Sequence, residues 1–350
     1  MTVERPSALR LQGPLVPRLG VLARHRAVWP LVVLAIILLL DAFFAPGFFR
    51  IRIVEGRLFG SLIDIVYRAT PIAIVAIGMA VVIGTKGIDL SVGAVIAIVS
   101  AVIAWRIHEG DPHFVILLLA LATGLVCGLW NGFLVAALDI QPIVATLILM
   151  VSGRGIGLMI NLIYGGTNPS FTSELLQGLS TGNVGLIPTR LIVGAGIFAA
   201  LWLLLRRTAF GLFLEAVGGN ATAAELSGIG ARLVKLAAYV VCGVCAAWAG
   251  VIIAADTHTS DPVSVGLYIE LDAILAVVIG GGSLAGGRIH LGMTVIGALV
   301  IQALTTSILV TGVPPQYNLV VKSIVVLVVL LLQSDNVRAA ALRLLKLRKR

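Results

Sequence analysis

Long, uninterrupted apolar runs dominate this chain and leave few folds open to it. A helix needs about 20 mostly apolar residues to cross a bilayer. The 350 residues here are 59% hydrophobic and 12% charged, and hold many such runs. A soluble domain carries about 25% charged residues. The runs are continuous rather than alternating, which argues against a β-barrel. The 39 glycines suit helices that pack closely or break within lipid. The expected fold is therefore an all-α polytopic membrane protein of about ten transmembrane helices. The spans fall near 27–44, 65–84, 91–105, 114–138, 143–161, 190–206, 233–255, 268–281, 291–310 and 317–333. The third and eighth are short for a crossing. They read as half-helices joined to their neighbours by non-helical turns, which membranes tolerate only where protein or a cavity surrounds them.

The net charge of +9 points to topology rather than to nucleic acid. Lys and Arg near span ends favour the cytoplasmic side. The tails 1–26 and 334–350 are both basic, from Arg5 and Arg10 to Lys349 and Arg350, so both termini are expected in the cytoplasm around a membrane domain at 27–333. The run from Ala27 to Leu40 begins too late for a cleavable signal. The count puts Arg206, Arg207, Arg232 and Lys235 inside, as the rule prefers, but Arg50, Arg52, Arg57 and Arg68 outside, against it. Residues 45–64 alternatively form an interfacial segment, with Glu55 and Asp64 offsetting that charge. The stretch from Leu162 to Thr189, with Gly165-Gly166, Asn168-Pro169 and Pro188, reads as an external loop.

Two glycine-bearing breaks stand out. Ala73-Ile-Val-Ala76 leads into Gly84-Thr-Lys-Gly87 and then Ile88-Asp-Leu90; Ala273-Ile-Leu-Ala276 leads into Gly280 to Gly287 and then Ile289-His-Leu291. This is either an internal echo of the kind seen in transporters built from repeated halves, or a chance likeness of apolar, Gly-rich segments. In the first break Asp89 and Ser91 are placed to cap a restarting helix; with Lys86 they alternatively hold a broken helix beside a path, since ionisable groups at membrane depth are functional candidates. The second break lacks the Gly-Lys-Ser/Thr ending of a nucleotide loop, so this chain binds no ATP through such a loop. Glu270 and Asp272, at the start of that hairpin, line an external vestibule or are simply solvated. Asn131, Gln141, Thr146, Arg154 and Asn161 lie in or beside apolar spans, either bonding between helices or facing a neutral polar cargo such as a sugar. Arg154 needs a carboxylate or backbone carbonyls for company. The five histidines show no ligand spacing, so no metal is expected. Cys127, Cys242 and Cys245 read as small packing residues, since the Cys-x-x-Cys spacing lacks its βαβ setting. No nucleophile–base set is visible, so the chain is expected not to be an enzyme.

Gly211 to Arg232 is too structured for a simple turn. Thr222-x-x-Glu225 reads as a capping box that starts a helix. Ala223, Leu226, Ile229 and Leu233 would form its apolar face, and Gly228 or Gly230 its end. Lying on the lipid surface is one fate, but that wants bulkier apolar anchors; docking in a partner's groove suits the small apolar face better.

Gly84-Thr-Lys-Gly-Ile-Asp-Leu-Ser-Val-Gly93 resembles the Gly-Gly-Ile-Asp-Leu-Ser-Val-Gly signature of ribose-type sugar ABC importer permeases. So do Trp130-Asn-Gly132, Gln141-Pro-Ile-Val-Ala-Thr146, Gly153-Arg-Gly155, Ala216-Val-Gly-Gly-Asn220 with Ser227-Gly-Ile229, and Leu271-Asp-Ala273 through Gly282. The likeness covers roughly residues 60–333. Gly56-Arg-Leu-Phe-Gly60, Ile140-Gln-Pro142 and Glu270 to Ala276 carry a closer likeness to its galactofuranose branch. Lys86 departs from the pattern, which usually has glycine there. The resemblance implies the ABC importer permease fold in a bacterial inner membrane, no cofactor bound by this chain, and ATP used by a separate cytoplasmic ATPase. It further implies a periplasmic sugar-binding protein and a second copy or a sister permease. Residues 211–232 match the family's coupling segment, with Glu215, Asn220, Thr222, Glu225, Leu226 and Ile229 as its candidate contacts. Alternative readings are a permease for ribose, xylose or autoinducer-2, and an ATP-independent secondary transporter.

Overall fold

The computed structural model describes residues 28–333 apart from 45, 46, 55, 56, 313, 315 and 316. The basic tails, Glu55 and Gly56 lie outside these residues. Every apolar run of the sequence is helical. In chain order the helices are α1 (Val28–Phe44), α2 (Ser61–Gly84), α3 (Val92–His108), α4 (His113–Ala136), α5 (Pro142–Tyr164), α6 (Glu174–Ser180), α7 (Thr189–Arg207), α8 (Ala209–Gly219), α9 (Ala221–Leu226), α10 (Ala231–Thr257), α11 (Ile269–Ile279), α12 (Leu291–Val310) and α13 (Asn318–Gln333). Among the described residues, six helices are long and apolar enough to cross a membrane: α2, α4, α5, α7, α10 and α12. The remaining runs form the shorter helices α1, α3, α11 and α13.

The segments between them are more ordered than expected. An antiparallel hairpin, β1 (Arg52–Val54) with β2 (Arg57–Phe59), precedes α2. A second small hairpin, β3 (Asn183–Val184) with β4 (Ile187–Pro188), follows α6 within the stretch expected to be loop.

Helix α10 occupies the centre, packed against α4, α2 and α3. Its approach to α4 is set by glycine. A Cβ at Gly128 would stand 2.6 Å from the Tyr239 carbonyl oxygen, and Gly124 and Gly243 face each other's backbone. Glycines four residues apart (124, 128, 132) put the contact on one helix face, and such small residues let backbones meet in lipid. Cys127, Cys242 and Cys245 are buried free thiols; a Cβ at Gly78 of α2 would stand 2.7 Å from that of Cys245. They fill space between helices.

We expect Gly128→Leu to cost about 1–3 kcal/mol, the usual penalty for overfilling a packed interior. Thermal unfolding of the purified protein in detergent measures it, with Leu125→Ala on the exposed side of α4 as the mild control.

Candidate functional site

The two glycine breaks meet at one end of the bundle, and α8 sits against them, followed by α9, which packs on α8 and α10. The Gly287 N–H donates to the Gly84 carbonyl at 3.0 Å. Gly218 of α8 rests on that same carbonyl, and a Cβ there would stand 2.7 Å from the Gly287 nitrogen. Leu214 and Val217 of α8 are fully buried beneath it, with Leu214 pressed on Gly84. Three backbones converge here because none of them carries a side chain at the contact. Lys86 adopts φ 67°, a left-handed conformation uncommon for a residue with a Cβ, and its ammonium donates to the Gly219 carbonyl at 3.1 Å.

Helix α9 differs from the sequence expectation. Thr222 does not cap it. Asn220 does: its backbone is extended, and its side-chain oxygen accepts from the Ala223 N–H at 3.1 Å. Asn is at least as good a cap as Thr, and the start it sets leaves Thr222 and Glu225 as exposed residues inside the helix. The helix stops at Leu226, and Gly228 turns the chain back at φ 83°. The expected face of Ala223, Leu226, Ile229 and Leu233 is thus not carried by one helix. Ile229 lies beyond the end of α9, and Leu233 belongs to α10. Leu226 is 86% exposed and Leu233 nearly as open. Glu215, on α8, is exposed and lines a groove of about 580 Å³ with Arg206, Trp202 and His290.

Behind the junction, the turn from Thr85 to Ser91 is locked by side chains from other helices. Asp89 is 1% exposed. Its Oδ1 accepts from the Ser91 N–H at 2.9 Å, the Ser91 hydroxyl at 2.7 Å and the Asn131 amide at 3.3 Å. Asn131 also donates to Ser91 Oγ at 2.8 Å. Tyr239 of α10 reaches the Ile88 carbonyl at 3.5 Å, and Thr146 bonds back to Pro142 at 2.9 Å. Irregular backbone at membrane depth survives only if its polar groups find partners in the protein, and this node supplies them. Gln141 stands apart, exposed at the start of α5, where its side chain makes no cap bond.

At the opposite end, Arg154 donates to the carbonyls of Pro262, Val263 and Val265 at 2.9, 3.0 and 3.2 Å. Asn161 donates to Thr167 and Ser260 at 3.1 and 2.9 Å. Together they pin the loops after α5 and α10. Asp261, between those loops and α11, is held below the usual carboxylate range, chiefly by the Ser264 hydroxyl and then by the N–H groups of Val263 and Ser264 and the charge of Arg154. A cavity of about 680 Å³ opens beside them, lined by Trp105, His108, Tyr164, Phe171 and His258 among others.

Glu270 and Asp272 are not simply solvated, as one expectation had it. Glu270 is 3% exposed, and a Cβ at Gly93 would stand 2.6 Å from its carboxylate. Asp272 pairs with Lys322 of α13 at 2.9 Å. Sequence reasoning missed Lys322, and it missed Arg190, which is fully buried, paired with Asp256 and stacked 3.3 Å over the Tyr67 ring. The signal for both was a lone cation in an apolar run, for which a carboxylate partner is the default.

A bundle with six helices long and apolar enough to cross a membrane, two breaks and an ordered segment seated at one end is the architecture of a polytopic membrane protein and agrees with a permease. The chain belongs to the family described as branched-chain amino acid transport system / permease component, whose profile matches residues 61–330. It is 50% identical to the galactofuranose transporter permease protein of Escherichia coli strain K12, over 89% of this chain and 92% of that one. It is 35% identical to the ribose import permease protein of the same strain, over 87% and 93%. It is 33% identical to the fructose import permease protein of Bifidobacterium longum, over 88% of each. No solved structure matches the chain significantly.

Asp89→Ala removes the acceptor for three donors, and we expect a loss of about 1–3 kcal/mol. Asp89→Asn keeps a carbonyl oxygen and is expected to lose less. Thermal unfolding of the two variants side by side checks the order.

Proposed function

We propose that this chain is the permease subunit of an ATP-driven sugar importer of the bacterial inner membrane, docked through α8 and α9 on a separate cytoplasmic ATPase. The observation that carries this reading is the seating of α8 and α9. Leu214, Val217 and Gly218 face the junction, while Glu215, Thr222, Glu225 and Leu226 are left open. A partner that grips the open side pushes directly on both breaks. The charge pattern supports the orientation. The end with α8 and α9 carries Lys86, Arg206, Arg207, Arg232 and Lys235, as a cytoplasmic side prefers. Away from it, Arg68, Arg106 and Arg190 are each offset by Asp64, Asp111 and Asp256. Both tails then lie in the cytoplasm.

The opposite end faces the periplasm in this reading and receives the sugar-binding protein on the loops that Arg154 and Asn161 pin. Galactofuranose, or a similar monosaccharide, is the cargo, supported by the 50% identity to a permease named for it. A different monosaccharide is the second reading, favoured by the ribose and fructose permeases among the relatives. A second copy or a sister permease completes the path. Polar groups such as Asn161 and Thr146 serve the bundle's internal bonding, and the path runs between the two permeases. ATP binding and hydrolysis in the partner drive alternating access; the permease contributes the path and the lever.

Uptake of labelled galactofuranose into vesicles holding permease, ATPase and binding protein tests the whole reading. Uptake is expected only with ATP, and ATP-independent uptake overturns it. Leu226→Asp and Glu225→Arg are expected to cut co-purification of the ATPase at least tenfold, as loss of a buried contact or reversal of a rim charge does, while leaving the protein inserted.

A further inference from the structure

We infer that Lys86 is a strut that ties the coupling helix α8 to the first break, so that α8, the turn and the second break move as one unit. This rests on the docking role of α8 and α9 given above and adds a positioning residue to it. The observations are local and independent of one another. Helix α8 has no basic residue in its own last turn, though a cation there is favourable. Lys86 supplies one from a distant segment, its ammonium 3.1 Å from the Gly219 carbonyl. The backbone at Lys86 is left-handed, which costs a side-chain-bearing residue energy that glycine avoids. Its stem lies against Gly286 of the second break, where any Cβ would collide with it. Strained backbone kept in place at one point of a structure is a pointer to function.

The strut has a direction. On one side of it stands Gly219, the last residue of α8, one residue before the Asn220 cap of α9. On the other stands Asp89, three residues on, locked to Ser91 and Asn131. Without the ammonium, α8 touches the breaks through apolar and backbone contact alone. With it, a pull on α9 reaches the polar node at the start of α3 without slack.

Two variants separate this role from mere stability. Lys86→Gly loses the ammonium but relieves the backbone; Lys86→Met loses the ammonium and keeps the stem. Hydrogen exchange of the 209–226 segment, measured on the permease alone in lipid nanodiscs, is expected to quicken about threefold in both, the size an exposed charged contact supports. In the assembled transporter the sugar moved per ATP is expected to fall by a similar factor, while the thermal midpoint of Lys86→Gly stays at or above that of the unaltered protein. A purely structural role would lower the midpoint together with coupling. Unchanged exchange in either variant overturns the strut. Faster exchange with unchanged sugar per ATP overturns its part in coupling. The exchange measurement needs no ATPase, so it stands or falls separately from the docking of α9, which Leu226→Asp tests.

Discussion

The Gly84 carbonyl is the point on which the rest of the molecule depends. It ends α2, accepts from Gly287, and carries Gly218 of α8 on its outer side. A helix end leaves carbonyls without intrahelical partners, and burying one unpaired beneath another helix costs free energy. The chain meets that demand by bringing a second break to the first. The glycines are needed because the donor and the covering helix must reach the carbonyl at backbone distance.

Two consequences follow from that junction. The turn it starts must return into α3, and Asp89, Ser91 and Asn131 satisfy the backbone on the way. The segment it seats must stay ordered outside the bundle, and Leu214 and Val217 anchor it while Leu226 is left open. The buried polar node and the exposed face proposed for docking are therefore two sides of one arrangement, joined through a single turn. That closeness suits a transporter whose energy arrives from a separate chain. Coupling between sites is carried by packed elements that shift together, and here the path from Leu226 to Asp89 crosses only α9, α8 and the turn.

Much of this was legible in the sequence. The apolar runs named the helices, since burial in lipid needs continuous hydrophobicity. Gly84 to Gly87 and Gly280 to Gly287 named the breaks, although nothing in their order said that they would touch. The departure at Lys86 was visible, but its left-handed backbone and its reach to Gly219 depend on where α8 is laid down. The Thr-x-x-Glu pattern points to Thr222 as the cap because it is local and strong; Asn220 takes the role because its own backbone is the extended one between α8 and α9. The ion pairs of Arg190 with Asp256 and Lys322 with Asp272 join residues 66 and 50 positions apart, which no periodicity reveals. The cargo class entered through motifs that resemble sugar importer permeases, such as Gly84 to Gly93, and the sugar permeases among the relatives agree with it.

The central claim is that α8, α9 and the two breaks form one body that moves against the rest of the bundle. Pulsed dipolar distances test it in the assembled transporter reconstituted in lipid. One pair of spin labels sits at Leu212 of α8, which is exposed and outside the proposed ATPase contacts, and Ser283, within that body, and a second at Leu212 and Leu162, across the bundle; the native cysteines are buried. The account predicts that ATP leaves the first distance unchanged and shifts the second. A first distance that shifts with ATP while the second stays fixed would contradict it.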